Sequence, residues 1–198
     1  MSLKYSFFKS IGGDRAYYAD DFADRFRSFI ADGVITEIEG SLTTQLNVTA
    51  NDSDLVVSVD LGQIIIQGYF GEVYDTAEEV TLDAGDALNP RIDRIVMEVN
   101  INDSTRAIVL KVVKGTPASS PTAPSLTRDL VGSNVFQVSL AQVLVPTSAS
   151  LILDSNVTDE RSDTSVCGVA KIDLGLESEY LAGIESIKYM KNRNLRNL

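Results

Sequence analysis

The sequence predicts a mainly β fold, antiparallel and sandwich-like, with an N-terminal helix and a C-terminal helical appendage. Three observations carry this expectation. Apolar and polar residues alternate through the middle of the chain, the period of a half-buried strand. One stripe at helical spacing precedes that region and another follows it. Of the 198 residues 44% are hydrophobic, enough to fill a substantial core. The divisions that follow are a lead segment and helix over 1–40, an antiparallel β domain over 41–172 and the appendage over 173–198.

The first helix is predicted over Ala19–Ala31, where Phe22, Phe26, Phe29 and Ile30 fall at i, i+4, i+7 and i+8. Asp20 and Asp21 suit the positive end of its dipole, and Gly33 suits the C′ position beyond it. Tyr5, Phe7 and Phe8 form an aromatic lead segment ahead of the helix. After Gly40 the period becomes two. Leu46, Val48 and Ala50 alternate with polar residues, and so do Leu55, Val57, Val59 and Leu61. Ile64 and Ile66 continue after Gly62, which predicts a hairpin over Leu55–Phe70 with Val59 opposite Ile64 and Val57 opposite Ile66.

A second hairpin is predicted from Arg91 to Lys114 around the turn residues Asn102–Thr105. Its register sets Val99 opposite Ile108, Met97 opposite Leu110 and Ile95 opposite Val112, so that every pair is apolar on one face. Gly115–Asn134 interrupts the strands with three of the five prolines and no period. It reads as a long surface excursion, a contact arm that becomes ordered only in an assembly, with Leu126, Leu130 and Val131 to bury. Phe136, Val138 and Leu140 resume the alternation, but the phase shifts to Val143 and Val145. One extra residue near Ala141–Gln142 therefore predicts a β-bulge. A last extended stretch is predicted over Val166–Ile172.

From Leu174 onward, Leu176, Tyr180, Leu181, Ile184, Ile187 and Met190 recur near helical spacing. Leu181, Ile184, Ile187 and Leu195 need a partner surface. Lys188, Lys191, Arg193 and Arg196 reverse the charge locally and break any long heptad seam. The segment is expected to serve as the assembly contact, its basic end complementing the acidic body of a neighbouring copy, with its own domain as the alternative seat.

Composition excludes whole classes of chemistry. With 28 acidic and 17 basic residues the net charge is −11, which repels phosphate backbones and argues against a nucleic-acid partner. The absence of histidine removes Ser-His-Asp and Cys-His nucleophile systems and histidine metal sites. Cys167 is the only cysteine, so no internal disulfide or thiolate cluster can form, and it reads as a small buried apolar residue. No apolar run reaches the roughly 20 residues that cross a bilayer, and the N-terminus lacks a signal-peptide core. The expectation is a soluble cytoplasmic product, unless it leaves the cell inside a larger particle. Acidic loops such as Asn51–Asp54, Asp83–Asp86 and Asp154–Asn156 invite a calcium reading, but Asx-rich turns between strands look the same and are favoured. Arg91, Asp93 and Arg94, like Asp159, Glu160 and Arg161, read as intradomain ion pairs, with a subunit boundary as the other place for them. No catalytic, cofactor or metal site is predicted, and the chain is not read as an enzyme.

Four segments together resemble a known family: Asn89–Val99 (NPRIDRIVMEV), Leu110–Pro121 (LKVVKGTPASSP), Phe136–Pro146 (FQVSLAQVLVP) and Thr158–Val169 (TDERSDTSVCGV). The lead segment Tyr5–Gly33 adds to the resemblance. The family is the upper baseplate, or receptor-binding-protein-anchoring, proteins of siphophages and related tail-like particles of Gram-positive bacteria. The resemblance implies a virion structural protein of the tail baseplate that docks on the tail hub and helps hold receptor-binding proteins for host adsorption. It implies several copies, with other baseplate proteins and the chain itself as partners. Subunit contacts are then expected at Tyr5, Phe7 and Phe8, at Leu126, Leu130 and Val131, and at Leu181, Ile184, Ile187, Lys188, Lys191, Arg193, Leu195 and Arg196. The second reading is a non-catalytic carbohydrate-binding module that contacts cell-wall glycan through its strand loops, although the chain has no tryptophan for a platform.

Overall fold

The computed structural model describes residues 11–13, 16–36 and 42–171. Helix α1 (Ala19–Arg27) starts where Asp21 Oδ2 accepts the Tyr18 backbone N–H at 3.0 Å, and its first turn carries Asp20 and Asp21 against the positive end of the dipole. It stops at Arg27, short of the predicted Ala31. Ser28 is the C-cap, and Gly33 opens β1 (Gly33–Ile35) instead of closing the helix. The reason is a close approach. Gly33 has φ +145°, and a Cβ there would lie 2.4 Å from the Gly168 carbonyl oxygen, where Val34 bridges Val169 in parallel.

Three antiparallel sheets enclose one core. β1 pairs β4 (Gly62–Ile66), which pairs β5 (Tyr69–Val73). β2 (Val48–Ala50) pairs β3 (Val56–Val59), which pairs β6 (Glu78–Thr81). The largest sheet contains β7 (Arg91–Asn100), β8 (Ala107–Val113), β9 (Arg128–Asp129), β10 (Val135–Val145) and β11 (Val157–Asp159), in the order β11-β10-β7-β8 with β9 also on β10. Val57 and Val59 of β3, Ile64 and Ile66 of β4, and Ile95, Met97, Val138, Leu140 and Val143 of the large sheet meet in the core. The fold is mainly β and sandwich-like, two small sheets against one large one.

The β7–β8 register is the predicted one, with Ile95, Met97 and Val99 opposite Val112, Leu110 and Ile108. A slip by one residue would turn Arg94 and Glu98 toward the core. The bulge in β10 lies between Ser139 and Ala141, which makes Leu140 the extra residue, just before the predicted position. It lets Leu140 and Ala141 both bury completely.

The hairpin expected over Leu55–Phe70 does not form, because β3 and β4 belong to different sheets. Val59 pairs Val48, while Ile64 pairs Val34 and Gly71. The Asp60 N–H donates to the Asn47 carbonyl, and the Leu61 carbonyl accepts the Leu46 N–H at 3.2 Å, so residues 46–47 take the place of the expected partner. Alternation marks which face of a strand is buried; it does not name the neighbour.

The stretch predicted over Val166–Ile172 is, within the described residues, a turn and a single bridge rather than a strand. Its carbonyls go to scattered partners rather than to one strand: that of Val166 accepts Arg128 Nη2 at 2.6 Å and the Ser139 N–H, while those of Gly168 and Lys171 accept the N–H groups of Val34 and Ala31. The expectation for Gly115–Asn134 is also corrected: this segment is seated on its own domain. The Gly115 N–H donates to Asp93 Oδ1, the Ala118 N–H to the Pro90 carbonyl, and Arg94 Nη1 to the Pro124 carbonyl. Backbone groups that a free arm would leave to water are satisfied here.

Helix α1 rests on the β4–β5 turn. Arg27 donates from Nε and Nη2 to the Gln67 carbonyl, and the Tyr69 hydroxyl donates to Asp20 Oδ1 at 2.8 Å. At Gly68 (φ +79°) a Cβ would stand 2.0 Å from the Ala23 carbonyl oxygen. Gly68→Ala is therefore expected to cost more than about 2 kcal/mol, strain and clash together. Thermal unfolding checks this, and an unchanged melting temperature would show that the helix can lift away freely.

Candidate functional site

The helix leaves an apolar surface unfinished. Only Ala23 of α1 is buried, and Phe26 and Phe29 stay 42% and 40% exposed with ring centroids 5.9 Å apart. Beside them lies a groove of about 310 Å³, walled by Phe26, Ile30, Ile35, Ile65 and Phe70 and rimmed by Ala170 and Lys171. Its floor comes from strand alternation. Ile64 and Ile66 point into the core, so Ile65 between them faces outward under the helix, with Phe70 opposite it on β5. Phe70 is 60% exposed. One exposed hydrophobe is ordinary; a contiguous concave set drawn from α1, β1, β4 and β5 makes the groove the candidate contact site.

A second depression, open and polar, lies at the end of the β4–β5 pair. It measures about 590 Å³ and includes Asp60, Gln63, Glu72 and Tyr74. Tyr74 is 75% exposed, and Gln63 Nε2 donates to Glu72 Oε1 at 2.9 Å.

The charged clusters read from the sequence are intradomain ion pairs. Arg91 and Asp93, both about 1% exposed, pair at 3.0 Å, while the Arg91 guanidinium also donates to the Ala84 and Asp83 carbonyls. Arg94 pairs Glu160 at 3.1 Å, and Glu160 also accepts from the Ser139 hydroxyl and from Gln142 Nε2. Arg161 donates to Asp159 and to the Leu42 and Gln45 carbonyls, which anchors the start of the β domain. Glu98 accepts from Lys111 and Gln137. Each of these carboxylates accepts from an arginine or lysine of the same chain, so their arrangement holds strands and loops together.

The remaining chemistry follows the same pattern. Hydrogen bonding from Arg161 holds Asp159 below its ordinary value, and Lys114 does the same for Asp83. The Leu88 and Asn89 N–H groups lower Asp86, which makes that acidic loop an Asx turn. Asn51 likewise accepts from the Ser53 and Asp54 N–H groups. Burial pushes the Cys167 thiol up to about 12, which leaves almost no thiolate at neutral pH. Among the described residues no group of three or more acidic or thiol side chains is placed to hold a metal ion. No helix among them is long and apolar enough to cross a membrane.

Of the predicted contact residues, Leu126 is half-buried, Leu130 packs on the chain's own core, and Val131 stands 96% exposed. Tyr5, Phe7, Phe8 and every contact residue from Leu181 to Arg196 lie outside the described residues. Sequence reasoning missed Ile35, Ile65 and Phe70 as a surface. The signal was present in three consecutive isoleucines, Ile64–Ile66, which make both faces of one strand apolar. Comparison with family models, with curated proteins and with solved structures returned no match.

Proposed function

We propose that the protein is a structural subunit of a phage tail baseplate, one that docks on the tail hub and helps hold receptor-binding proteins. The observation that carries this reading is the apolar groove under α1. It is an apolar, concave surface on a body whose buried charges are paired within the chain. The segments that resemble the baseplate family support it. Asn89–Val99, Leu110–Pro121, Phe136–Pro146 and Thr158–Val169 are remote in sequence, yet they supply β7, the end of β8, β10 and β11 of one sheet, joined by the Arg94–Glu160 pair. In this reading the groove forms the subunit contact, and work is done by shape rather than by chemistry.

The test is incorporation into tail particles. Phe70→Asp and Phe26→Asp each put a charge on the groove outside the buried core, so the β body of the isolated chain should keep the far-UV circular dichroism of the wild type. Recovery of either variant in purified particles should fall at least about tenfold, the factor that corresponds to 1.4 kcal/mol of lost contact. Full incorporation of both variants would overturn the reading.

The second reading, a glycan-binding module, has one observation in its favour: the exposed Tyr74 ring beside Asp60 and Gln63 in the open cleft. Retention of the isolated chain on cell-wall glycan, abolished by Tyr74→Ala, would favour it over the baseplate role.

A further inference from the structure

We infer that the groove under α1 is the seat of the chain's own segment Leu174–Ile187. This goes beyond the docking reading and names what covers the groove in the isolated chain. Three observations converge. First, the described chain reaches Lys171 on the rim of the groove itself, so the residues that follow start at its mouth. A segment tethered there is held at an effective concentration in the millimolar range, against which an untethered partner must compete. Second, the chemistry matches. The walls are side chains of Phe26, Ile30, Ile35, Ile65 and Phe70, with scarcely a polar group among them. The segment presents Tyr180, Leu181, Ile184 and Ile187 at helical spacing, a stripe too apolar to stand in water. Third, the stripe is short. It ends at Ile187, where Lys188 begins a basic run, so only about two helical turns need cover, far less than a coiled-coil seam requires.

The aromatic lead segment is the competing occupant within the chain. It enters at the start of α1, by Asp20, whereas the groove opens at the other end of the helix, by Phe26 and Ile30. Gly175 supplies the freedom to reverse direction soon after Lys171.

The absence of tryptophan makes the test clean. Leu181→Trp and Ile184→Trp, each in the full-length isolated chain, place a single fluorophore in the segment. The expected result is blue-shifted emission, protected severalfold from a soluble quencher and independent of protein concentration. Adding Phe70→Asp should move the emission to that of exposed tryptophan while far-UV circular dichroism of the β body stays unchanged. Exposed emission from both probes, or emission indifferent to Phe70→Asp, would overturn the inference. Protection that appears only as concentration rises would assign the seat to a second copy and overturn it too. So would a Phe7→Trp probe that loses protection with Phe70→Asp while the two segment probes do not. Because the isolated chain is measured, failure to enter tail particles leaves this result untouched, and exposed probes in a chain that still assembles would sink the inference alone.

Discussion

Asp93→Ala is expected to lower the stability of the protein by about 3–5 kcal/mol, the cost of a buried charge stripped of its partner. Arg91 is 1% exposed and held at three sides, by Asp93, by the Ala84 carbonyl at 2.8 Å and by the Asp83 carbonyl at 2.6 Å. With the carboxylate gone the guanidinium keeps two neutral acceptors and no counter-charge. The Gly115 N–H loses its acceptor as well, which frees the start of the proline-containing segment. Gly115 cannot back away to find another, since its α-carbon already faces the Ile92 carbonyl so closely that a Cβ would stand 2.0 Å from the oxygen. The control is the double substitution Arg91→Met with Asp93→Leu. It removes both charges together and should cost far less than the single change. Urea midpoints at constant m-value decide between them. A single substitution that costs under about 1 kcal/mol would mean that water reaches the pair.

Arg161→Ala is the second large effect, about 3 kcal/mol, and it carries a pH signature. Arg161 is 4% exposed and donates to Asp159, to the Leu42 and Gln45 carbonyls and to Asn47 Oδ1. It thereby ties residues 42–47, which precede β2, to the loop that follows β11, more than a hundred positions away. Truncation leaves those acceptors without their donor and loosens the sheet edge where β2 begins. Asp159 supplies the pH dependence. Hydrogen bonding from Arg161 holds its folded-state value below the ordinary 3.8, so the pair's contribution is complete above the ordinary value and is lost as pH falls through the depressed one. The wild type should lose stability on the acid side between about pH 5 and pH 2, and the Arg161→Ala variant should show a shallower slope there. Denaturant titrations across that range would check it. Parallel acid limbs would show that Asp159 titrates alike folded and unfolded.

The β7–β8 hairpin was legible residue by residue because its information is local. Two strands joined by Asn102–Thr105 have few registers to choose from, and apolar parity at Ile95, Met97 and Val99 leaves one. The bulge was legible for the same reason, as a phase change within β10. The ion pairs were legible as pairs, because buried arginines next to aspartates seldom lack each other. Composition alone removed histidine and disulfide chemistry.

Tertiary structure decided everything that depends on which strand meets which. Val57, Val59, Ile64 and Ile66 alternate as a hairpin would, yet a turn at Asp60–Leu61 sends β3 and β4 into separate sheets. Gly33 reads as the end of a helix, but it is the point where β1 passes the Gly168 backbone. The proline-containing segment looks free until its N–H groups find Pro90 and Asp93. The groove exists only because α1, β1, β4 and β5 converge without filling the space between Phe26 and Phe70. The physical reason is common to all four. Alternation and propensity state which face of an element seeks burial, a local property. Which surface buries it is set by closing long loops around one shared core, and that choice is written in no single stretch of the chain.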